Sequence, residues 1–282
     1  MIRTILSWVL AAFGVICLAP VPVAAYFGEL QLAAVFTALC IMSALASFAL
    51  RRRVREPKPL KVGDSMLLSA LTWLFIALLS SIPFMSGNYM TAADAYFEAM
   101  SGLTTTGLTM VTDFAGFPRS LLFWRSLLQW IGGIGIVSLY LLISSEVAPG
   151  TSLSLYTAEG RSERISPRIS STLKTFLAIY TAYTLIGTLL LHLAGMPPYD
   201  ATCTSLSSLS TGGFTLIPNL GDYRNVWVEA VAMALMFLGS MSFRVHMNMI
   251  RKGPRQLLQD GQFRLYAALV LISTTVLALR WG

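Results

Sequence analysis

The chain has 282 residues, 55% of them hydrophobic and only 12% charged, with a mean hydropathy of +0.68. A soluble domain of this length carries about twice that charge, so a water-soluble globule is excluded. The net charge of +7 does not imply a nucleic-acid partner, because the basic residues sit in short loops between apolar runs, which is a topology signal.

Seven apolar runs approach the ~20 residues that cross a bilayer as a helix: about 5–25, 30–50, 64–85, 120–143, 171–195, 226–249 and 263–280. The first continues through Pro20 and Pro22 and is followed at once by the second, so it reads as a retained helix and not a cleaved signal peptide. Two shorter segments, 92–103 and 199–209, are too short and too polar to span, and each lies between two spanning helices. Cys17, Cys40 and Cys203 fall in or beside apolar segments without a CxxC pair and read as small buried hydrophobes.

Charge sets the expected orientation. Arg3, Arg51, Arg52, Arg53, Arg55, Lys58, Lys61, Arg161, Arg164, Arg168, Lys174, Arg251, Lys252, Arg255 and Arg264 all fall on one side, which the positive-inside rule makes cytoplasmic, with the N-terminus. The two short segments then face outward, together with Asp94, Glu98, Asp113, Asp200 and Asp222. Acidic groups around an outer mouth raise the local cation concentration, although each is equally an ordinary solvated loop charge.

An internal repeat organises the chain. Residues 101–109 read SGLTTTGLT and residues 207–215 read SSLSTGGFT. At this offset of 106, Ser101, Leu103, Thr105, Gly107 and Thr109 recur as Ser207, Leu209, Thr211, Gly213 and Thr215, and Asp94-Ala95 recurs as Asp200-Ala201. The unit is helix, short re-entrant helix, polar loop, helix. Non-helical backbone at membrane depth is tolerated only inside protein or along a water-filled cavity. Glycine lets carbonyls turn toward a common axis, and rings of such oxygens replace the hydration shell of an alkali cation. The short helix also points its partially negative C-terminal end at the loop. Small residues of this kind serve helix packing too, but two copies in one register at one topological place favour a filter. No nucleophile elbow, HExxH or P-loop is present, so no enzyme is expected.

At these residues the chain resembles the Trk/Ktr/HKT superfamily of potassium transporters, most closely the bacterial TrkH-type membrane subunit. AYFEAMSGLTTTGLT (95–109) is similar to its first pore helix and filter, and FWRSLLQWIGGIGIV (123–137) to the helix that follows. SLSSLSTGGFT (205–215) is similar to the second filter, and MFLGSMSFRVH (236–246) to the end of the second inner helix. The resemblance implies an all-α integral membrane protein: an N-terminal hairpin (1–56), a first pore repeat (62–146, filter 104–109), a second (168–252, filter 210–215), and a lone helix (260–282) like the start of a third repeat. It implies Gly107 and Gly213 as filter glycines, with Thr105, Thr106 and Leu108 beside the first and Thr211, Gly212 and Phe214 beside the second, all eight binding the ion, and it has the Leu108 and Phe214 side chains packing outward as braces and leaving the carbonyls as ligands. Arg125, about one turn inside its helix, either snorkels to the interface or supports the filters. The resemblance favours support, with Glu98 as its partner, because a charge at this depth needs one.

The expected function is potassium uptake across the bacterial inner membrane, with K⁺ as the transported ion and no covalent cofactor. A cytoplasmic, nucleotide-binding TrkA-type regulator is the implied partner. Family members have four repeats and this chain has two, so it reads as truncated after two of four. A second copy or a complementary pore-forming chain would complete the ring, or the chain no longer conducts; the lone last helix fits a split or truncated chain better than a dimer. Gly132, Gly133 and Gly135 serve as a hinge or as close-packing positions. Arg244 and His246, near the cytoplasmic end of the sixth run, either snorkel to the inner surface or form a charge gate for the cavity, and His192 reads as structural.

Overall fold

The computed structural model describes residues 2–52, 62–135, 169–241, 243–253 and 255–281. Arg53, Arg55, Lys58, Lys61, Arg161, Arg164 and Arg168, the side chain of Arg244, and the second half of the helix expected over 120–143 lie outside the described residues. The chain divides into two compact units, Met1–Gly239 and Ser240–Gly282. That boundary falls inside the segment 168–252 read from sequence as the second repeat.

The first unit is built from α1 (Ile2–Ile16), α2 (Pro20–Tyr26), α3 (Leu30–Arg51), α4 (Val62–Met85), α5 (Ala92–Leu103), α6 (Arg119–Ile134), α7 (Ile169–Leu193), α8 (Pro198–Leu209) and α9 (Val226–Ser240). The second holds α10 (Phe243–Lys252), α11 (Arg255–Gln259) and α12 (Gly261–Trp281). Among the described residues all regular elements are helical. Five stretches are long and apolar enough to cross a membrane: Arg3–Tyr26, Leu30–Arg51, Leu67–Met85, Lys174–Leu193 and Gly261–Arg280.

One of the seven expected spans differs, one is internally broken, and one is described only in its first half. The 226–249 run is two helices; α9 is apolar but short, and it stops at Gly239-Ser240, residues that extend a helix poorly. For the 120–143 run, α6 is described only to Ile134, where Gly135 caps it at φ +79°. The first span breaks between Ile16 and Pro20, because a proline has no N–H to donate to the preceding turn and its ring fits best at a helix start.

The N-terminal hairpin buttresses α6. Trp124 is fully buried; its indole N–H donates to the Ser80 carbonyl at 3.0 Å, and its ring meets Phe36 and Phe13 edge-on at 5.4 and 6.2 Å. Glu29, at the turn before α3, accepts the backbone N–H groups of Arg119 (2.6 Å) and Ser120 (2.9 Å). A carboxylate there satisfies two orphan donors of the α6 N-terminus and complements its dipole.

α5 and α8 each have 12 residues, about 18 Å of helix, too little to cross ~30 Å of hydrocarbon. Thr91 caps α5, accepting from the Asp94 N–H and donating its hydroxyl to the Asp94 carboxylate. Pro198 opens α8, with Asp200 in its first turn. The following helix passes close by each C-terminus at a glycine. A Cβ at Gly132 would lie 2.0 Å from the Leu103 carbonyl oxygen, and one at Gly239 would lie 1.9 Å from that of Leu209. Gly133 is also tightly placed, against Tyr180 and Ser210. Close packing therefore accounts for Gly132 and Gly133, and the end of α6 accounts for Gly135. Gly132→Ala is expected to destabilise the protein by about 1–3 kcal/mol through overpacking against that carbonyl, read as a lowered thermal midpoint in detergent, whereas Gly28→Ala, in open space at a turn, shows backbone strain alone.

Candidate functional site

The two Thr/Gly loops begin with the same backbone device. After α5, the Thr105 N–H donates to the Gly102 carbonyl (3.0 Å) and the Thr106 N–H to the Ser101 carbonyl (2.9 Å). After α8, Thr211 donates to Ser208 (3.0 Å) and Gly212 to Ser207 (3.0 Å). Both are Schellman ends, which place one residue in the left-handed region. That residue is Thr105 at φ +54° and Thr211 at φ +53°. Two positions on, Gly107 (φ +82°) and Gly213 (φ +84°) are left-handed again. Glycine takes that conformation freely; threonine, β-branched, is a true outlier there.

The loops meet backbone to backbone. A Cβ on Gly107 would lie 2.2 Å from the Gly212 carbonyl oxygen, so only glycine fits. Among the described residues, nothing lies within 4 Å of a Cβ on Gly213. Thr104 and Thr106 hydroxyls lie 2.8 Å apart on the exposed side of the first loop.

Behind the loops lies a buried ion pair. Arg125 and Glu98 are 1% and 0% exposed, and Arg125 Nε donates to Glu98 Oε1 at 2.5 Å. Arg125 Nη2 donates to the Thr109 hydroxyl (2.8 Å) and Nη1 to the Thr215 carbonyl (3.2 Å). Glu98 also accepts the Thr109 hydroxyl (2.9 Å) and the Met110 N–H (2.7 Å). One guanidinium thus joins the first short helix to both loops, and the Phe214 ring stacks 4.1 Å from its carbon.

Sequence reasoning missed Gln129. This fully buried side chain on α6 accepts the Ser207 hydroxyl (2.6 Å) and the Phe214 N–H (3.1 Å) on one oxygen. Its sequence signal is faint: an uncharged polar residue one turn after Arg125 in an apolar helix, which names no partner. Leu108 departs from expectation. Its side chain is 62% exposed among the described residues, and its carbonyl accepts the Ser101 hydroxyl at 2.6 Å. Phe214, by contrast, is buried. Four of the outer acids have local duties: Asp94 at its cap, Glu98 in the pair, Asp113 accepting from Ala115 and Gly116, and Asp200 accepting the Tyr223 hydroxyl at 2.7 Å. Burial and then that bond to Asp200 push the Tyr223 phenol upward. His192 is 2.9 Å from the Met196 carbonyl, at the end of α7.

Short helices that stop between membrane-length ones, each followed by a matched loop, and all of it duplicated, make this a multi-pass membrane protein of repeated helix–short helix–helix design. The chain belongs to the TrkH family of cation transport proteins, whose model matches residues 31–279. It is 37% identical over 244 residues to an uncharacterized cation transporter of Methanocaldococcus jannaschii, covering 86% of this chain and 51% of that one. It is 30% identical over 275 residues to the Trk system potassium uptake protein TrkH of Vibrio parahaemolyticus, covering 93% and 56%. The crystal structure of the potassium transporter TrkH from Vibrio parahaemolyticus superposes with a TM-score of 0.79 at 27% identity, covering 96% of this chain and 57% of that one. The chain therefore spans about half the length of the curated relatives it matches.

Glu98→Ala leaves the guanidinium buried without its counter-charge and is expected to lower stability by about 3–5 kcal/mol. The double variant Glu98→Leu with Arg125→Leu is expected to lose less than the two single changes summed, measured as a double-mutant cycle of unfolding in detergent.

Proposed function

We propose that this chain is a pore-forming subunit for potassium uptake across the bacterial inner membrane, coordinating K⁺ with backbone carbonyls of Thr105, Thr106 and Gly107 and of Thr211, Gly212 and Gly213. The observation that carries this reading is the direct contact of the two loops at Gly107 and Gly212, each loop alternating into the left-handed region at matched positions. Backbone that alternates in hand presents successive carbonyls on one side, the geometry that replaces an alkali ion's water shell. The C-terminal ends of α5 and α8 add partial negative charge beside the loops. Glu98 and Arg125 support the filter and do not touch the ion. Leu108 and Phe214 frame it: the Leu108 carbonyl is engaged by Ser101, and the Phe214 ring lies under Arg125.

Two loops are half of a four-loop ring. The open side of Gly213 is where a further loop would fit, and we take the remainder to come from a second copy or a complementary pore-forming chain. The basic side of the chain supports a cytoplasmic N-terminus, and Arg51 at the same end of the hairpin packs over Trp8 at 3.7 Å. A TrkA-type nucleotide-binding regulator would dock on the same face.

The test is ion flux in proteoliposomes. Gly213→Ser, forced to hold φ +84° with a side chain, is expected to lower the K⁺ over Na⁺ flux ratio about tenfold, the equivalent of roughly 1.4 kcal/mol of strain. Gly107→Ser, which strikes the Gly212 carbonyl, is expected to abolish K⁺ preference. Unchanged selectivity in both variants removes the filter assignment. Flux that appears only on co-expression with a chain bearing two further loops assigns this chain as a non-conducting half.

A further inference from the structure

We infer that Gln129 is the positioning residue of the second Thr/Gly loop and a determinant of ion selectivity. The inference rests on the carbonyl-coordination reading above and extends it to a residue that touches no ion.

Three observations carry it. First, Gln129 Oε1 ties the last turn of α8 to the loop, through Ser207 at one bond and Phe214 at the other. Second, the amide lies flat against Gly212: a Cβ there would fall 2.3 Å from Gln129 Cδ and 2.5 Å from Oε1. The side chain therefore fixes the peptide whose carbonyl meets Gly107. Third, Gln129 Nε2 is buried with no hydrogen-bond partner among the described residues. A buried orphan donor calls for a reason, and here the oxygen's two bonds dictate how the amide is turned.

The two repeats hold their loops differently. Gly132 against Leu103 and Gly239 against Leu209 align the two following helices. Three residues before each glycine stand Gln129 and Met236, and seven before stand Arg125 and Ala232. Of the two following helices, only α6 carries polar residues at these two positions. The first loop is held within its own repeat, by Ser101 on Leu108, Glu98 on Met110 and Arg125 on Thr109. The second is held across the repeat boundary, by Gln129 at Phe214 and Arg125 at Thr215. Removing the Gln129 acceptor frees the backbone of 212–214 and leaves the first loop as it was. A ring loosened on one side adapts to a smaller ion, and discrimination against Na⁺ falls.

The experiment uses the full chain, with whatever partner it requires, in proteoliposomes. Gln129→Leu is expected to reduce the K⁺ over Na⁺ flux ratio about tenfold, the order set by one buried donor left without its acceptor. Gln129→Glu, which keeps the acceptor, is expected to retain most of the ratio. Ser207→Ala, which deletes one of the two bonds, falls between and serves if Gln129→Leu does not fold. Hydrogen exchange supplies a readout independent of transport: the Phe214 amide is expected to exchange faster in Gln129→Leu and Ser207→Ala, with the Thr106 amide unchanged. Unaltered exchange at Phe214, or equal loss of selectivity in Gln129→Glu and Gln129→Leu, overturns the inference. If wild-type protein shows no K⁺ preference while Phe214 exchange responds as stated, the coordination reading fails and the positioning role stands without its selectivity consequence.

Discussion

The Arg125 guanidinium is a full positive charge removed from water in the middle of a helical bundle. Such a group is tolerable only when its donors are spoken for and a counter-charge lies at hand. Its Nε meets Glu98, its two terminal nitrogens meet Thr109 and Thr215, and Phe214 covers its face. Those partners come from the first short helix, the first loop and the second loop. The requirement that one cation be satisfied therefore fixes three otherwise separate pieces of backbone at once. A lysine would not do the same: it offers a point charge, while the planar fork reaches three directions in a fixed geometry. The hairpin serves this arrangement from outside, because Glu29 and the packing of Trp124 hold the helix that carries Arg125.

The duplication is faithful in the backbone and not in the side chains. Both loops open with the same pair of hydrogen bonds and the same two left-handed positions. Yet Ser101 and Ser207, equivalent by sequence, have different partners: a carbonyl of its own loop in one case, and a glutamine on α6 in the other. Glu98 corresponds to Thr204, which has no charge to offer. Two loops of matched backbone do not occupy identical surroundings, since Ser101 meets its own loop and Ser207 meets α6. The backbone shape is repeated, whereas the side chains that hold each copy are not.

The repeat, the two short helices and the glycines were legible because they rest on local rules. Length excludes a span, and glycine marks left-handed backbone. The same holds for the need of Arg125 for an acid, since burial of a charge is readable from an apolar surround. Gln129 was not legible, because an uncharged amide in an apolar helix announces neither its partner nor its depth, and its partners lie 78 and 85 residues away. Leu108 was misread for a related reason. Whether an apolar side chain beside a loop is covered depends on what packs over it, and Phe214 finds Arg125 where Leu108 remains exposed. The break in the first span was announced by Pro20, whereas the division of the 226–249 run hangs on a Gly-Ser pair that a membrane-length apolar pattern conceals.

The two left-handed threonines are the least economical choice in the structure. Schellman ends ordinarily use glycine at this position, and a β-branched residue there costs roughly 1–3 kcal/mol. Such strain persists only where the surroundings over-determine the conformation. For Thr105 they do: its backbone N–H is held by Gly102, the next by Ser101, and its methyl group lies against Gly132, 3.2 Å from where a Cβ would be. Gly132 thus makes room for both the helix end and the strained residue. A glycine at 105 would relieve the strain and restore to the loop the freedom that those contacts remove. Threonine, stiff at χ1 and locked by its neighbours, holds the first carbonyls of the loop where a pliant residue would let them drift.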